Sequence, residues 1–216
     1  MLSYLKNFFA LCLDALFPLS NRVRKVQALK AEDFKAEPLM QNPFGVPITS
    51  LLSFNDSRVR MLIHALKFEA SHHAASIASD IVADFLIEEI ADEKVFSDKK
   101  LFLVPVPLGK VRERERGRNQ SARITDTLSD TLAIQTAPHL LVRVRETLPQ
   151  TTLKRKERLQ NVQGAFSVPS EYLPEVKDAH IILIDDVTTT GATLSEAAKP
   201  LLSVGASVTA LSIAHA

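Results

Sequence analysis

The stretch "IILIDDVTTTGATL", Ile181 to Leu194, decides how the chain reads. Four aliphatic residues lead into two adjacent aspartates, followed by threonines and a glycine. The pattern predicts a buried strand, a loop and a helix, with the helix running from Thr193 to Val204 and ending near Gly205. In open α/β sheets ligands bind outside the carboxyl ends of strands, so this loop falls where a ligand belongs. The chain has only six glycines, and Gly191 at the helix start lets backbone N–H groups approach a ligand closely. The first helical turn supplies unpaired donors and about half a positive charge. With the hydroxyls of Thr189, Thr190 and Thr193 it makes a phosphate cradle. Asp185 and Asp186 repel a phosphate. They suit neutral hydroxyls, whose protons they accept, or a magnesium ion held through water. The motif therefore asks for a phosphate with a diol beside it, the shape of a ribose 5-phosphate. A capping role for the acids, with Thr193 as N-cap, accounts for one carboxylate rather than two acids and three threonines. No G-x-x-x-x-G-K-[ST] and no G-x-G-x-x-G occurs, which removes the P-loop and dinucleotide alternatives.

Outward from this stretch, aliphatic strands alternate with helices. "VPITSLLSF" (46–54) reads as a strand before a helix from Arg58 to about Phe68. "HHAASIASDIVADFLIEEI" (72–90) places Ala75, Ile77, Ala78, Ile81, Val82, Phe85 and Leu86 on one broad helical face. "LFLVPVP" (101–107) is a short buried strand and residues 118–133 a helix. "HLLVRV" (139–144), "GAFSV" (164–168), "HIILID" (180–185) and "SVTALSIA" (207–214) read as strands. The expected fold is α/β, a parallel central sheet covered by helices on both faces. Residues 18–47 hold four prolines and a basic knot of Arg22, Arg24 and Lys25. Before them, Leu5, Phe8, Phe9, Cys12, Ala15 and Leu16 recur at helical spacing. The expected division is an N-terminal helix and small irregular lobe over 1–50 and the main domain over 51–216.

Composition bounds the rest. The chain has 216 residues, 46% hydrophobic and 24% charged, with a net charge of +1, ordinary for a globular domain. One cysteine, Cys12, excludes an internal disulfide framework and fits a reducing compartment. No stretch reaches the roughly 18 apolar residues that span a bilayer. Charge is nonetheless localised. Residues 110–123 and 143–158 each carry six basic and two acidic residues, so each is +4 and the remainder is −7. Both follow predicted strands, as a polyanionic ligand at the strand ends requires, and arginine bonds two phosphate oxygens at once. A solvated helix with Arg112, Glu113 and Arg116 at neighbouring positions is the plainer use of "RERER". Nucleic acid also seeks basic clusters, but aromatics are only 6% of the chain.

Every position from Ile181 to Thr193 resembles the phosphoribosyl pyrophosphate (PRPP) motif of type I phosphoribosyltransferases. "VPVPL", "RERGRNQS", "RVRETLPQTTLKRKERLQNVQGAF" and "DDVTTTGATL" together look like the ComF/GntX group, linked to DNA uptake in competence and DNA use as nutrient. The resemblance covers about residue 50 to the end and implies a type I phosphoribosyltransferase-like fold. It implies that Asp185 and Asp186 hold the ribose hydroxyls, and that Val187, Thr188, Thr189, Thr190, Gly191, Ala192 and Thr193 wrap the 5-phosphate. The 105–120 stretch, from Pro107 through Arg116, Asn119 and Gln120, resembles the pyrophosphate loop, with Arg118 where the group usually has an aromatic. The 143–166 stretch resembles the mobile loop, in which Arg143, Arg145 and Arg158 would stabilise the departing pyrophosphate beside Asp186. "ALKF" (65–68) resembles the group's L-K-Y/F, so Lys67 is expected to face the site. Implied ligands are PRPP or a ribose 5-phosphate compound with magnesium, held through Asp185, in a cytoplasmic protein without a membrane partner. The implied activity is phosphoribosyl transfer to a base. The alternatives are a non-catalytic competence factor, binding single-stranded DNA or a helicase-like partner, and a ligand-gated regulator. The group's N-terminal cysteine-rich zinc segment is reduced here to Cys12, so no structural zinc is expected. His72 and His73 are adjacent and lie on different helix faces.

Overall fold

The structure, a computed structural model, describes residues 25–69, 71–92, 99–147 and 155–216. The predicted N-terminal helix, Cys12, Arg22 and Arg24 lie outside the described residues, as does the 148–154 part of the second basic segment.

The elements run β1 (Leu39–Gln41), β2 (Ile48–Ser53), α1 (Ser57–Phe68), α2 (His72–Asp92), β3 (Leu101–Pro105), α3 (Lys110–Arg116) and α4 (Gln120–Leu132). There follow β4 (Gln135–Thr136), β5 (Val142–Arg143), α5 (Arg155–Val162), β6 (Phe166–Ser167), α6 (Leu173–Val176), β7 (His180–Thr188), α7 (Ala192–Val204) and β8 (Ser207–His215). Six strands form one sheet in the order β1-β2-β8-β7-β3-β4. All neighbours are parallel except the edge strand β1, antiparallel to β2. β5 and β6 make a separate antiparallel pair.

The aliphatic runs are continuous because both faces of the sheet are covered. On one face Leu103, Ile182, Ile184, Leu211 and Ile213 pack with α1, α2 and α4 through Leu62, Leu66, Ile77, Ile81, Ile124 and Leu128. On the other, Phe102, Val104, Ile181, Leu183 and Ala210 pack with α7 through Leu194, Ala197 and Leu201, and with Phe166 and Val168. The β7 side chains thus alternate between two cores, and a slip of one residue would exchange them. Val26 and Phe34 are buried in the first core, and β1 completes the sheet ahead of residue 50.

Three local expectations are corrected. "HLLVRV" is a strand only at Val142–Arg143; Pro138–Leu140 is a 3₁₀ turn, set by the proline at its start. β7 continues three residues beyond Asp185 to Thr188, because the ladder to β8 extends through Val187↔Ala214 and Thr188↔His215. α7 begins at Ala192, one residue ahead of the expected Thr193, with Gly191 as its N-cap: the glycine's φ of 74° is the left-handed turn that bends strand into helix, and it makes no side-chain cap. The α7 helix then closes where expected, on Gly205 at φ 100°, whose N–H reaches the Leu202 carbonyl at 3.0 Å.

Candidate functional site

Where strand order reverses, neighbouring loops part and leave a crevice. β3 and β7 are adjacent, yet the chain leaves β3 toward β4 along the α4 face and leaves β7 toward β8 along the α7 face. The switch point therefore lies between them, at Pro105–Gly109 and Asp185–Gly191. This is where the acid pair stands.

Asp186 is buried, and Lys67 at the end of α1 places its Nζ 3.4 Å from Asp186 Oδ1. Asp185 is half-buried. Its Oδ1 accepts the Asp186 N–H at 2.9 Å and the Ser121 hydroxyl at 3.4 Å. Burial, and after it the Asp186 charge, pushes the Asp185 carboxyl up to about 7, against which the Asp186 N–H, Lys67 and Ser121 pull it down. The pair thus carries more negative character than its described surroundings compensate.

The first basic segment supports this wall. Asn119 caps α4 by accepting the Ser121 N–H at 3.0 Å, and donates its amide to the Val106 carbonyl at 2.9 Å. That cross-link brings Ser121 to Asp185. Gln120 is buried and donates to the carbonyls of Arg118 at 3.1 Å and Lys67 at 3.5 Å, while accepting from Arg116 at 3.1 Å. The Arg116 guanidinium lies 5.7 Å over the Phe68 ring. The expected residues Lys67, Arg116, Asn119 and Gln120 thus form one connected cluster with the acids. The "RERER" helix is real, as α3, and ends on Gly117 at φ 74°.

The loop after β7 consists of Thr189, Thr190 and Gly191. Thr188 Oγ1 is buried and accepts the Gly191 N–H at 3.1 Å, so that donor is already engaged inside the turn. Thr190 Oγ1 is buried without a partner among the described residues. Ala192 and Thr193 open the first turn of α7, and Val187 packs against the first core.

The second basic segment divides. Arg143 donates to the Pro107 carbonyl at 3.4 Å and to Thr147 Oγ1, and lies 5.2 Å over Phe166. Burial, then Arg112, lowers its pKa, while Glu146 and Asp185 raise it. Arg145 is spent elsewhere: it donates to the carbonyls of Asn161 at 3.0 Å and Gln163 at 2.6 Å, tying down the carboxyl end of α5. Arg158 lies in α5, with its side chain outside the described atoms. Sequence reasoning missed Ser121, whose signal was its place directly after Asn119 and Gln120, and Glu196, which accepts the Gly164 N–H at 2.8 Å and anchors the end of the 143–166 stretch to α7.

A threonine- and glycine-rich loop, an acid pair and a basic opposite wall at a β3/β7 switch point define the class, a phosphoribosyltransferase-like α/β protein. Residues 81–215 match the family model described as phosphoribosyl transferase domain. DNA utilization protein YhgH of Salmonella typhimurium is 33% identical over 163 residues, covering 74% of this chain and 69% of that protein. Competence protein ComFC of Bacillus subtilis is 34% identical over 156 residues (72% and 58%), and Competence protein F of Haemophilus influenzae 38% over 103 residues (48% and 44%). The chain belongs to the phosphoribosyltransferase family and, within it, to the competence-associated ComF group. Among the described residues no helix is long and apolar enough to cross a membrane.

Proposed function

We propose that the β3/β7 crevice binds PRPP, or a closely related ribose 5-phosphate ligand, together with magnesium. The observation that carries this is the adjacent pair Asp185 and Asp186 at the switch point, one of them pushed up to about 7 by burial and by its neighbour. Such a pair gains from hydroxyl protons or a cation. In this reading the two acids accept the ribose hydroxyls, and Thr189 to Thr193 hold the 5-phosphate. The buried Thr190 hydroxyl, without a partner among the described residues, would donate to a phosphate oxygen in this reading. Magnesium fits the oxygen donors of Asp185. Among the described residues there is no cluster of three or more His, Cys, Asp or Glu to cage a metal, so ligand oxygens and water would complete its shell. When bound, the ion would neutralise the pyrophosphate's charge.

Transfer would break the bond from the anomeric carbon to the pyrophosphate oxygen, which keeps the electron pair, and form a bond to an acceptor nitrogen, which sheds its proton. The transition state is oxocarbenium-like, as in glycoside cleavage. Arg143, on β5 and bonded to the Pro107 carbonyl of the loop after β3, would stabilise the departing anion, and Lys67 would hold Asp186 in place. A cytoplasmic location belongs to the same reading. The names of the relatives point to a setting in DNA utilization and competence, and the two basic segments keep single-stranded DNA as a second ligand to test.

The test is calorimetry with PRPP and magnesium, with single-stranded DNA as competitor. Magnesium-dependent PRPP binding that is lost in Asp186→Asn supports the proposal. DNA binding with a steep salt slope, indifferent to Asp186→Asn and without PRPP binding, would transfer the site to nucleic acid.

A further inference from the structure

A groove of about 770 Å³ runs along α2, walled on its other side by the 30–38 segment. Its floor is apolar: Phe34, Ile77 and Ile81 are buried there, and Phe85 is half-buried. Its rim is acidic. Asp80, Asp84 and Glu88 line it at successive turns of α2, all three exposed, and none forms an ion pair among the described residues. Like charges four residues apart on a helix repel, so this row costs α2 stability unless cations face it. Partial burial, and after it the Asp84 charge, raises the Asp80 carboxyl above its ordinary value, with His73 pulling it down. The two basic residues that line the groove are engaged elsewhere: Lys30 pairs with Glu32 at 3.1 Å, and His73 places Nε2 2.9 Å from the Leu29 carbonyl.

We propose that residues 1–24 of this chain occupy the groove, with their apolar side chains on its floor and Lys6, Arg22 and Arg24 against its acidic rim. Composition, length and connection all favour this occupant. Fifteen of those 24 residues are apolar, Phe8, Phe9 and Phe17 among them, and such a run seeks cover from water. The segment carries three basic residues and one acid, so its charge opposes that of the rim. Leu5, Phe8, Phe9, Cys12, Ala15 and Leu16 recur at helical spacing, and residues 2–17 as a helix would span about 24 Å. The groove extends from His73 to Glu88, about 22 Å along α2 at the same rise per residue. The segment joins the described chain at Lys25, and Leu29, four residues on, bonds to His73 at one end of the groove. Docking is therefore intramolecular, at an effective concentration on the order of millimolar, so modest contacts suffice. The β3/β7 crevice plays no part in it.

The single cysteine, Cys12, gives a readout on the full chain, since a thiol reagent reaches it only when the segment leaves the groove. Wild-type Cys12 should react at least about tenfold more slowly in buffer than in urea, at a rate independent of protein concentration. Ser76→Trp, which fills the groove from its half-buried edge, should raise the buffer rate about tenfold, with thermal melts checking that the fold is kept. Asp80→Lys with Asp84→Lys, both at exposed positions, should raise it about fivefold. Adding Arg22→Asp and Arg24→Asp to that pair should restore protection. Carbodiimide coupling of mixed isotope-labelled and unlabelled chains, read by mass spectrometry, should join Lys6 to Asp80, Asp84 or Glu88 within one chain. A Cys12 as reactive in buffer as in urea, or protection unchanged in the groove variants, overturns the inference. Cross-links joining labelled to unlabelled chains overturn it as well, and give the groove to a second copy.

Discussion

Asp185→Asn should make the unliganded protein more stable at alkaline pH. The Asp185 carboxyl is pushed from 3.8 to about 7, first by burial and then by Asp186. A carboxyl whose pKa is raised on folding stabilises the fold fully below its unfolded value, and that contribution is lost as pH rises through the folded value. Three units correspond to about 4 kcal/mol at most. Asp185 keeps partial contact with water, which screens the penalty, so roughly 2 kcal/mol at pH 8 is the working figure. Asparagine keeps an Oδ1 acceptor for the Asp186 N–H and the Ser121 hydroxyl, so the local bonds survive. For a domain of this size the gain is a rise in Tm of about 4–8 °C at pH 8, shrinking toward pH 5 where wild-type Asp185 is protonated. Thermal melts of the two proteins without ligand, from pH 4 to 9, read this directly. PRPP with magnesium should narrow the gap, because only the wild type keeps both acids for the ribose. An Asp185→Asn protein that melts lower at pH 8, or that keeps the wild-type slope between pH 4 and 7, would refute the reasoning.

Lys67→Met should move the wild-type pH slope to higher pH, since Lys67 is among the groups that hold the Asp185 carboxyl down; the same melts locate the midpoint. Thr188→Val removes the buried acceptor of the Gly191 N–H and should lower stability by about 1–2 kcal/mol in urea unfolding, with weaker phosphate binding. Gly191→Ala places a side chain at φ 74° and should destabilise by about 1 kcal/mol while displacing the start of α7, read as lost ribose 5-phosphate affinity. Arg145→Ala should raise amide exchange at the carboxyl end of α5 with little change in ligand affinity, since its guanidinium serves the Asn161 and Gln163 carbonyls.

The central strand, its loop and α7 were legible because three signals agree there: an aliphatic run too long for one buried face, paired acids, and a glycine where the chain must turn left-handed. The amphipathic α2 was equally plain, since its apolar positions recur at helical spacing. β1 and β4 were not, because three- and two-residue strands at sheet edges carry no periodicity and exist through their neighbours' ladders. "HLLVRV" has the composition of a strand, but a proline-led 3₁₀ turn takes its first half. Of the candidate site, the acid pair and the Asn119–Gln120 element could be read as residue types. The Asn119 bond to Val106 that carries Ser121 to Asp185 depends on the distance between two chain segments, which no local pattern encodes. Arg143 and Arg145 look alike in sequence, and only packing separates a guanidinium at the crevice from one that closes a helix.

The departure of the β3 and β7 connections toward opposite faces has a consequence for how this protein can vary. The two halves of the crevice hang on different layers of the molecule, one braced by α4 and the other by α7. Natural drift or deliberate redesign can therefore rework the grip on one end of a ligand while the opposite grip stays as it was. A lineage could keep the jaw at Asp185–Gly191 unchanged and give the other jaw to a new use.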